Sequence, residues 1–224
     1  FAKIFSKKLP FLLTDDQKRA VWSALQDMTK TRPMRRLLQG DVGAGKTVVA
    51  AFLAAHTHSS GFSAAVLTPT DILAQQHAKT FQRLLGAHQI PVLLITRTTK
   101  KWVLGHEERD LKPSDLDGYL TKGNIVLFGT HALLVEHRLP PDLALAIVDE
   151  QHRFGVAQRE ALLVSRRPDG LIPHFLSMTA TPIPRSLALM MYGDLDVSRL
   201  HQKPEGRLPI ATQVCVGEMR GRAY

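Results

Sequence analysis

The sequence predicts an α/β domain built on a mainly parallel sheet with helices on both faces. Three observations predict it. Short apolar runs alternate with longer helix-like stretches along most of the 224 residues, the pattern of a right-handed, doubly wound sheet. Runs such as LALAIV, residues 143–148, are almost continuously apolar, as parallel strands covered on both faces must be. The residues Gly40-Asp41-Val42-Gly43-Ala44-Gly45-Lys46-Thr47 fit the phosphate-binding pattern G-x-x-x-x-G-K-S/T, set between an apolar run and a helical one.

Taken in chain order, residues 1–13 read as a linker: FAKIFSKKLPFLL is basic and apolar, without the long apolar core and cleavage site of a signal peptide. A helix then opens at Thr14-Asp15-Asp16-Gln17, with apolar positions at Val21, Leu25 and Met28. Thr14 and Gln17 fit a capping box, and the aspartates suit the positive helix end. The other reading of Gln17 is an amide that reads an adenine edge, and the residues alone do not choose. A strand over 35–39 leads into the Gly-rich loop and a helix over 46–58. Strands follow at 63–67, 92–95, 125–128, 143–148 and 174–178, with a helix over 71–85. Segment 96–123 is polar and reads as a surface excursion with a short helix near 113–120. Residues 208–216, LPIATQVCV, alternate loosely and read as an exit strand. Ligands of such a sheet sit at the carboxyl ends of the strands.

A chain of this length buries roughly 70–75% of its unfolded surface, so it needs no covalent staples. The single cysteine, Cys215, excludes an internal disulfide framework and fits a reducing compartment. No apolar run approaches the ~20 residues of a membrane span. The net charge of +9 favours a polyanionic partner such as nucleic acid.

The chemistry gathers at strand ends. Backbone N–H groups from Gly40, Gly43, Ala44 and Gly45 suit phosphate oxygens, Lys46 the β/γ-phosphates, and the Thr47 hydroxyl Mg²⁺. Asp149-Glu150 follows LALAIV directly. Asp149 suits Mg²⁺, and Glu150 suits a base or water-orienting role. Thr179-Ala180-Thr181 ends another apolar run. Its hydroxyls either bond the acidic pair on a neighbouring strand or cap a helix starting near Pro184. Thr68-Pro69-Thr70 and Gly129-Thr130-His131 suit either nucleic-acid phosphates or ordinary strand-to-helix turns. His56, His58, His77, His88, His106, His137 and His201 lack metal-ligand spacing and read as solvated. Neither Trp22 nor Trp102 falls in a usable pattern.

Taken together, these segments resemble the superfamily 2 helicases and translocases. GDVGAGKT looks like motif I, DEQH like motif II, TPT like Ia, GTHALL like Ib and TAT like III, with LTDDQ as the upstream adenine element. Within that superfamily, LTPTDILAQQH, DEQHRFGVAQRE and MTATPIPRSLALMMYGDLDVS resemble the RecG family of bacterial DNA helicases over about residues 9–216. The transcription-repair coupling factor is a near alternative but tends to carry Glu where this chain has Gln151. The resemblance implies a RecA-like P-loop NTPase domain over 14–207, using ATP and Mg²⁺ and acting on branched duplex DNA in recombination and repair. It implies Lys46, Asp149 and Glu150 as catalytic residues, and His152, Thr179, Thr181 and Arg153 as coupling residues, with Phe154 and Arg159 beside them. Thr68, Pro69, Thr70, Gly129, Thr130 and His131 would contact DNA. It further implies a monomer of the bacterial cytoplasm. A wedge domain would precede the chain, and 208–224 would lead to a second lobe. Without those parts the lobe is expected to be nearly inactive. The chain departs from the family at Ile95-Thr96-Arg97-Thr98, where a glycine-containing turn is usual. Other rivals are a P-loop kinase or GTPase, disfavoured by the lack of an N-K-x-D run, and a nucleic-acid-binding module that does not hydrolyse ATP.

Overall fold

A computed structural model describes residues 2–130, 132–135, 138–150, 169–181 and 195–202. Its helices are α1 (Ala2–Lys8), α2 (Asp15–Met28), α3 (Lys46–Ser59), α4 (Asp71–Leu85), α5 (Leu116–Lys122) and α6 (Ala132–Val135). Its strands are β1 (Arg35–Gly40), β2 (Ser63–Thr68), β3 (Val92–Ile95), β4 (Lys100–Leu104), β5 (Glu107–Asp110), β6 (Val126–Thr130), β7 (Leu143–Asp149), β8 (His174–Thr179) and β9 (Asp196–Leu200). They form one sheet in the order β5-β4-β3-β6-β2-β7-β8-β1-β9. Every neighbouring pair from β3 to β9 is parallel, whereas β4 runs antiparallel to both β3 and β5.

The continuous apolar strands serve two cores at once, because successive side chains of a strand point to opposite faces. Val66, Phe128, Leu145 and Ile147 join one core with Ala24, Leu53, Ala78 and Phe81 of α2, α3 and α4. Their neighbours Ala65, Leu67, Leu127, Ala146 and Val148 join the other, with Leu116 and Leu120 of α5 and Leu133 of α6. Helix α3 is buried around most of its circumference, which explains why KTVVAAFLAAHT has no polar face.

All six strands expected from apolar runs form, within two residues of the expected bounds. The polar excursion at 96–123 is a correction: besides its helix, it holds the β4–β5 hairpin on the edge of the sheet. All four residues of β5 are exposed and charged, a composition that discourages further edge pairing. Trp102 of β4 packs near Tyr119, and the Arg109 guanidinium lies 5.6 Å from its ring centroid. Strand β9 was also not expected. The stretch read as a linker holds α1, whose Phe5 is buried edge-on against Phe52, at 4.9 Å between ring centroids. The exit strand at 208–216 lies outside the described residues.

Candidate active site

The parallel strands end along one edge, and their order determines which ends meet. Strand β8 lies between β7 and β1, with Asp149 opposite Met178 and Thr179 opposite Gln39. The acidic pair and the Gly-rich loop are therefore two strand spacings apart, about 10 Å. That gap suits a phosphate chain with its cation.

The loop between β1 and α3 turns through residues with positive φ, Gly43 at 80° and Gly45 at 85°. Only glycine suits Gly45. Besides its backbone angle, a Cβ there would lie 2.2 Å from Gln17 Nε2. Helix α3 starts at Gly45 without a side-chain cap, so its first N–H groups face the loop, an arrangement that favours an anion. The Lys46 ammonium donates to the carbonyls of Gly40 (2.8 Å) and Asp41 (3.2 Å). Burial pushes its pKa below the usual lysine value, opposed by the carboxylates of Asp149, Glu150 and Asp41. Lys46 and the acidic pair thus share one electrostatic site. Thr47 is half-buried in the first turn of α3.

Gln17 makes the capping box expected of it. Its Oε1 accepts from Thr14 N at 3.0 Å, and Thr14 Oγ1 accepts from Gln17 N at 3.3 Å. Its Nε2 also donates to Ala44 O at 2.9 Å, tying α2 to the phosphate loop. An amide has two N–H donors and two acceptor lone pairs, and these contacts use one of each on a side chain that is buried.

Asp149 ends β7 with its carboxylate largely enclosed. Glu150 follows at φ 50°, a left-handed conformation that costs a non-glycine residue about 1–2 kcal/mol. That turn carries its backbone and side chain onto β8. Glu150 N donates to Met178 O at 3.0 Å, and Ala180 N donates to Glu150 Oε1 at 3.3 Å. The hydroxyls of Thr179 and Thr181 lie 2.9 Å from each other. The link from Thr179–Thr181 to the acidic pair is thus made by a backbone N–H. The alternative cap near Pro184, and His152, Arg153, Phe154 and Arg159, lie outside the described residues.

Farther along the same edge, Thr68 Oγ1 donates to Thr70 O at 2.9 Å and Gly129 O at 3.5 Å. Thr70 Oγ1 accepts from Leu73 N as the cap of α4. These hydroxyls perform turn chemistry within the fold. Thr130 pairs with Thr68 across β6 and β2. Gly129 is required by close approach, since a Cβ would meet Ile95 O at 2.5 Å. His131 lies outside the described residues. The unusual turn after β3 needs no glycine: Thr96 N donates to Thr99 O at 2.8 Å and Thr99 N to Thr96 Oγ1 at 3.0 Å, which leaves Arg97 exposed.

Several histidines are not the solvated residues expected. His77 of α4 hydrogen-bonds Asp149 Oδ2 through Nε2 at 2.8 Å, with both side chains nearly buried. Its position was legible: it lies three residues from Ala74 and four from Phe81, on the buried stripe of α4. Burial lowers the pKa of His56, His58 and His88, and His88 stacks on Phe5. His137 lies outside the described residues. Gln39 was also missed: its Nε2 donates to Thr181 O at 3.5 Å and its Oε1 accepts from Arg199 Nε at 3.4 Å.

The sequence matches the DEAD/DEAH box helicase family over residues 14–190, well over half of the chain. The chain belongs to that helicase family. Within it, the chain is 44% identical over 221 residues to the ATP-dependent DNA helicase RecG of Synechocystis sp., covering 98% of this chain and 25% of that protein. RecG of Aquifex aeolicus is 44% identical over 223 residues, covering 97% of this chain and 26% of that protein. A solved structure of RecG bound to a three-way DNA junction superposes with a TM-score of 0.75 at 39% identity, covering 93% of this chain and 26% of that one. The chain spans about a quarter of the length of these helicases. The UvsW helicase of bacteriophage T4, at 20% identity and a TM-score of 0.56, shares the fold. The RecG resemblance stands, and the coupling-factor alternative is not favoured.

Proposed function

We propose that this chain is the ATP-binding lobe of a RecG-type DNA helicase that remodels branched DNA. The observation that carries the reading is the strand order β7-β8-β1, which sets the Gly-rich loop with Lys46 and the pair Asp149-Glu150 at neighbouring strand ends of one edge. The donor set suits a hard cation with a phosphate chain: a hydroxyl, a fixed carboxylate and a lysine beside a glycine loop. Thr47 and Asp149 would hold Mg²⁺. Bound there, the ion supplies positive charge to the phosphate oxygens of ATP. The loop N–H groups and Lys46 bind phosphates, and Gln17 holds adenine with its remaining donor and acceptor. Glu150 orients water and accepts its proton. Thr179 and Thr181, joined to Glu150 through Ala180, carry the change at the phosphates towards the rest of the lobe, as do His152 and Arg153.

The same edge continues to Thr68, Pro69, Thr70, Gly129, Thr130 and His131, which we assign to the DNA backbone. The RecG relative solved on a three-way junction and the net charge of +9 support that assignment. In this reading the lobe works with a wedge domain and a second lobe, as a monomer in the bacterial cytoplasm, and turns over very slowly alone. Among the described residues no helix is long and apolar enough to cross a membrane.

Glu150→Gln tests the hydrolytic role. Joined to its partner lobe, the variant should keep ATP affinity and lose turnover about 10²–10⁴-fold, the usual worth of a general base. Unchanged turnover would remove Glu150 from the hydrolytic step, and a parent that binds ATP without turnover would favour a nucleic-acid-binding module in which ATP is only structural.

A further inference from the structure

We propose that His77 is a positioning residue that fixes the Asp149 carboxylate for the divalent cation. The inference rests on the reading of Asp149 as the metal carboxylate. An ionised carboxylate only accepts hydrogen bonds, so the 2.8 Å contact requires the proton on His77 Nε2. The side chains are only 14% and 12% exposed. An enclosed carboxylate with one oxygen held in this way loses rotational freedom and presents the other oxygen in a set direction. Partners of this kind orient metal-binding groups, and their loss typically weakens metal affinity by about 10–100-fold.

The source of the imidazole matters. Residue 77 lies on α4, which is capped at its start by Thr70. The two positions are two helical turns apart, about 10 Å at 1.5 Å per residue. Thr68 connects that cap to Gly129 of β6. The cation carboxylate is therefore held by the same helix that begins at the turn assigned to DNA.

The test measures fluorescent ADP binding to the chain with Mg²⁺ and with EDTA. The ratio of the two dissociation constants is the metal-dependent gain. His77→Met keeps bulk but removes the donor, whereas His77→Gln returns an N–H close to the Nε2 position. The Met variant should lose about ten-fold or more of the gain with EDTA affinity unchanged, and the Gln variant should recover most of it. A full gain in the Met variant, or a Gln variant as weak as Met, overturns the proposal. If the Met variant shows no melting transition, the Gln variant decides alone: retained gain supports the contact and lost gain overturns it. Asp149→Ala separates the two readings. A gain that survives Asp149→Ala removes the metal role of Asp149, and His77 with it. A gain lost there but kept in His77→Met removes only the role of His77.

Discussion

Lys46 carries its charge in a half-buried position where its hydrogen bonds go to two loop carbonyls. A cation kept there against its desolvation cost suits a group that meets anions, and phosphates are the anions this loop accommodates. Lys46→Ala should therefore abolish nucleotide binding by calorimetry while the melting temperature stays near that of the parent. A variant with undiminished affinity would remove the phosphate role. Gln17 shows how a residue can serve two readings. The capping box that explained it from sequence is present, yet the same amide also binds the phosphate loop. No local pattern announces that second contact, because the partners are 27 residues apart.

At the scale of elements, α2 is joined to β1 and to the residues that follow β9. Arg36 of β1 bonds Asp27 at the end of α2 and Ser198 of β9, at 3.0 and 2.8 Å. At the other end of α2, Asp16 accepts from the backbone of His201 and Gln202, each at 2.8 Å. Those backbone donors, Gln202 foremost, together with the Arg19 side chain, hold the Asp16 pKa below the usual carboxylate range. A depressed folded-state pKa contributes stability that is present above the unfolded value and lost as pH falls through the folded one. Asp16→Asn should thus melt lower than the parent at pH 7, and the two should converge in acid below pH ~4. Parallel melting curves across that range would exclude the contact as a source of stability. Elements with a strong apolar signal were legible: six strands and the helices α2, α3 and α4 follow from runs and periods. The β4–β5 hairpin was not, because KKWVL and EERD form an edge and bury little. Strand β9 escaped because it buries only Ser198 and Leu200.

For the whole molecule, stability comes from two apolar layers separated by one sheet. Phe81 of α4 meets Phe128 of β6 edge-to-face, 4.9 Å between centroids, and both are fully buried. Phe81→Ala should cost about 3–5 kcal/mol in a urea titration. A loss below ~1 kcal/mol would mean that the layer collapses around the cavity. The site was legible in proportion to its local signature. The glycine loop and the acidic pair each occupy a few consecutive residues, and strand order then brings them together. The place of His77 on the buried stripe of α4 was legible, but its partner and those of Gln39 lie on other elements and became visible only once neighbours were known.

That strand order also bears on how the chain is made. Strand β1 is made before every other described strand of the sheet, yet its neighbours are β8 and β9. The contact of Met34 with His174 spans 140 residues, and that of Arg36 with Ser198 spans 162. At 5–20 residues per second, the strand that leads into the phosphate loop waits roughly 7–30 s for its first partner. Through that interval β1 has both edges open, with Leu37 and Leu38 uncovered, the kind of surface that invites wrong pairing or chaperone capture. The phosphate loop is made well before β8, so a nascent chain that has not yet reached about residue 180 lacks the strand that joins the loop to the acidic pair.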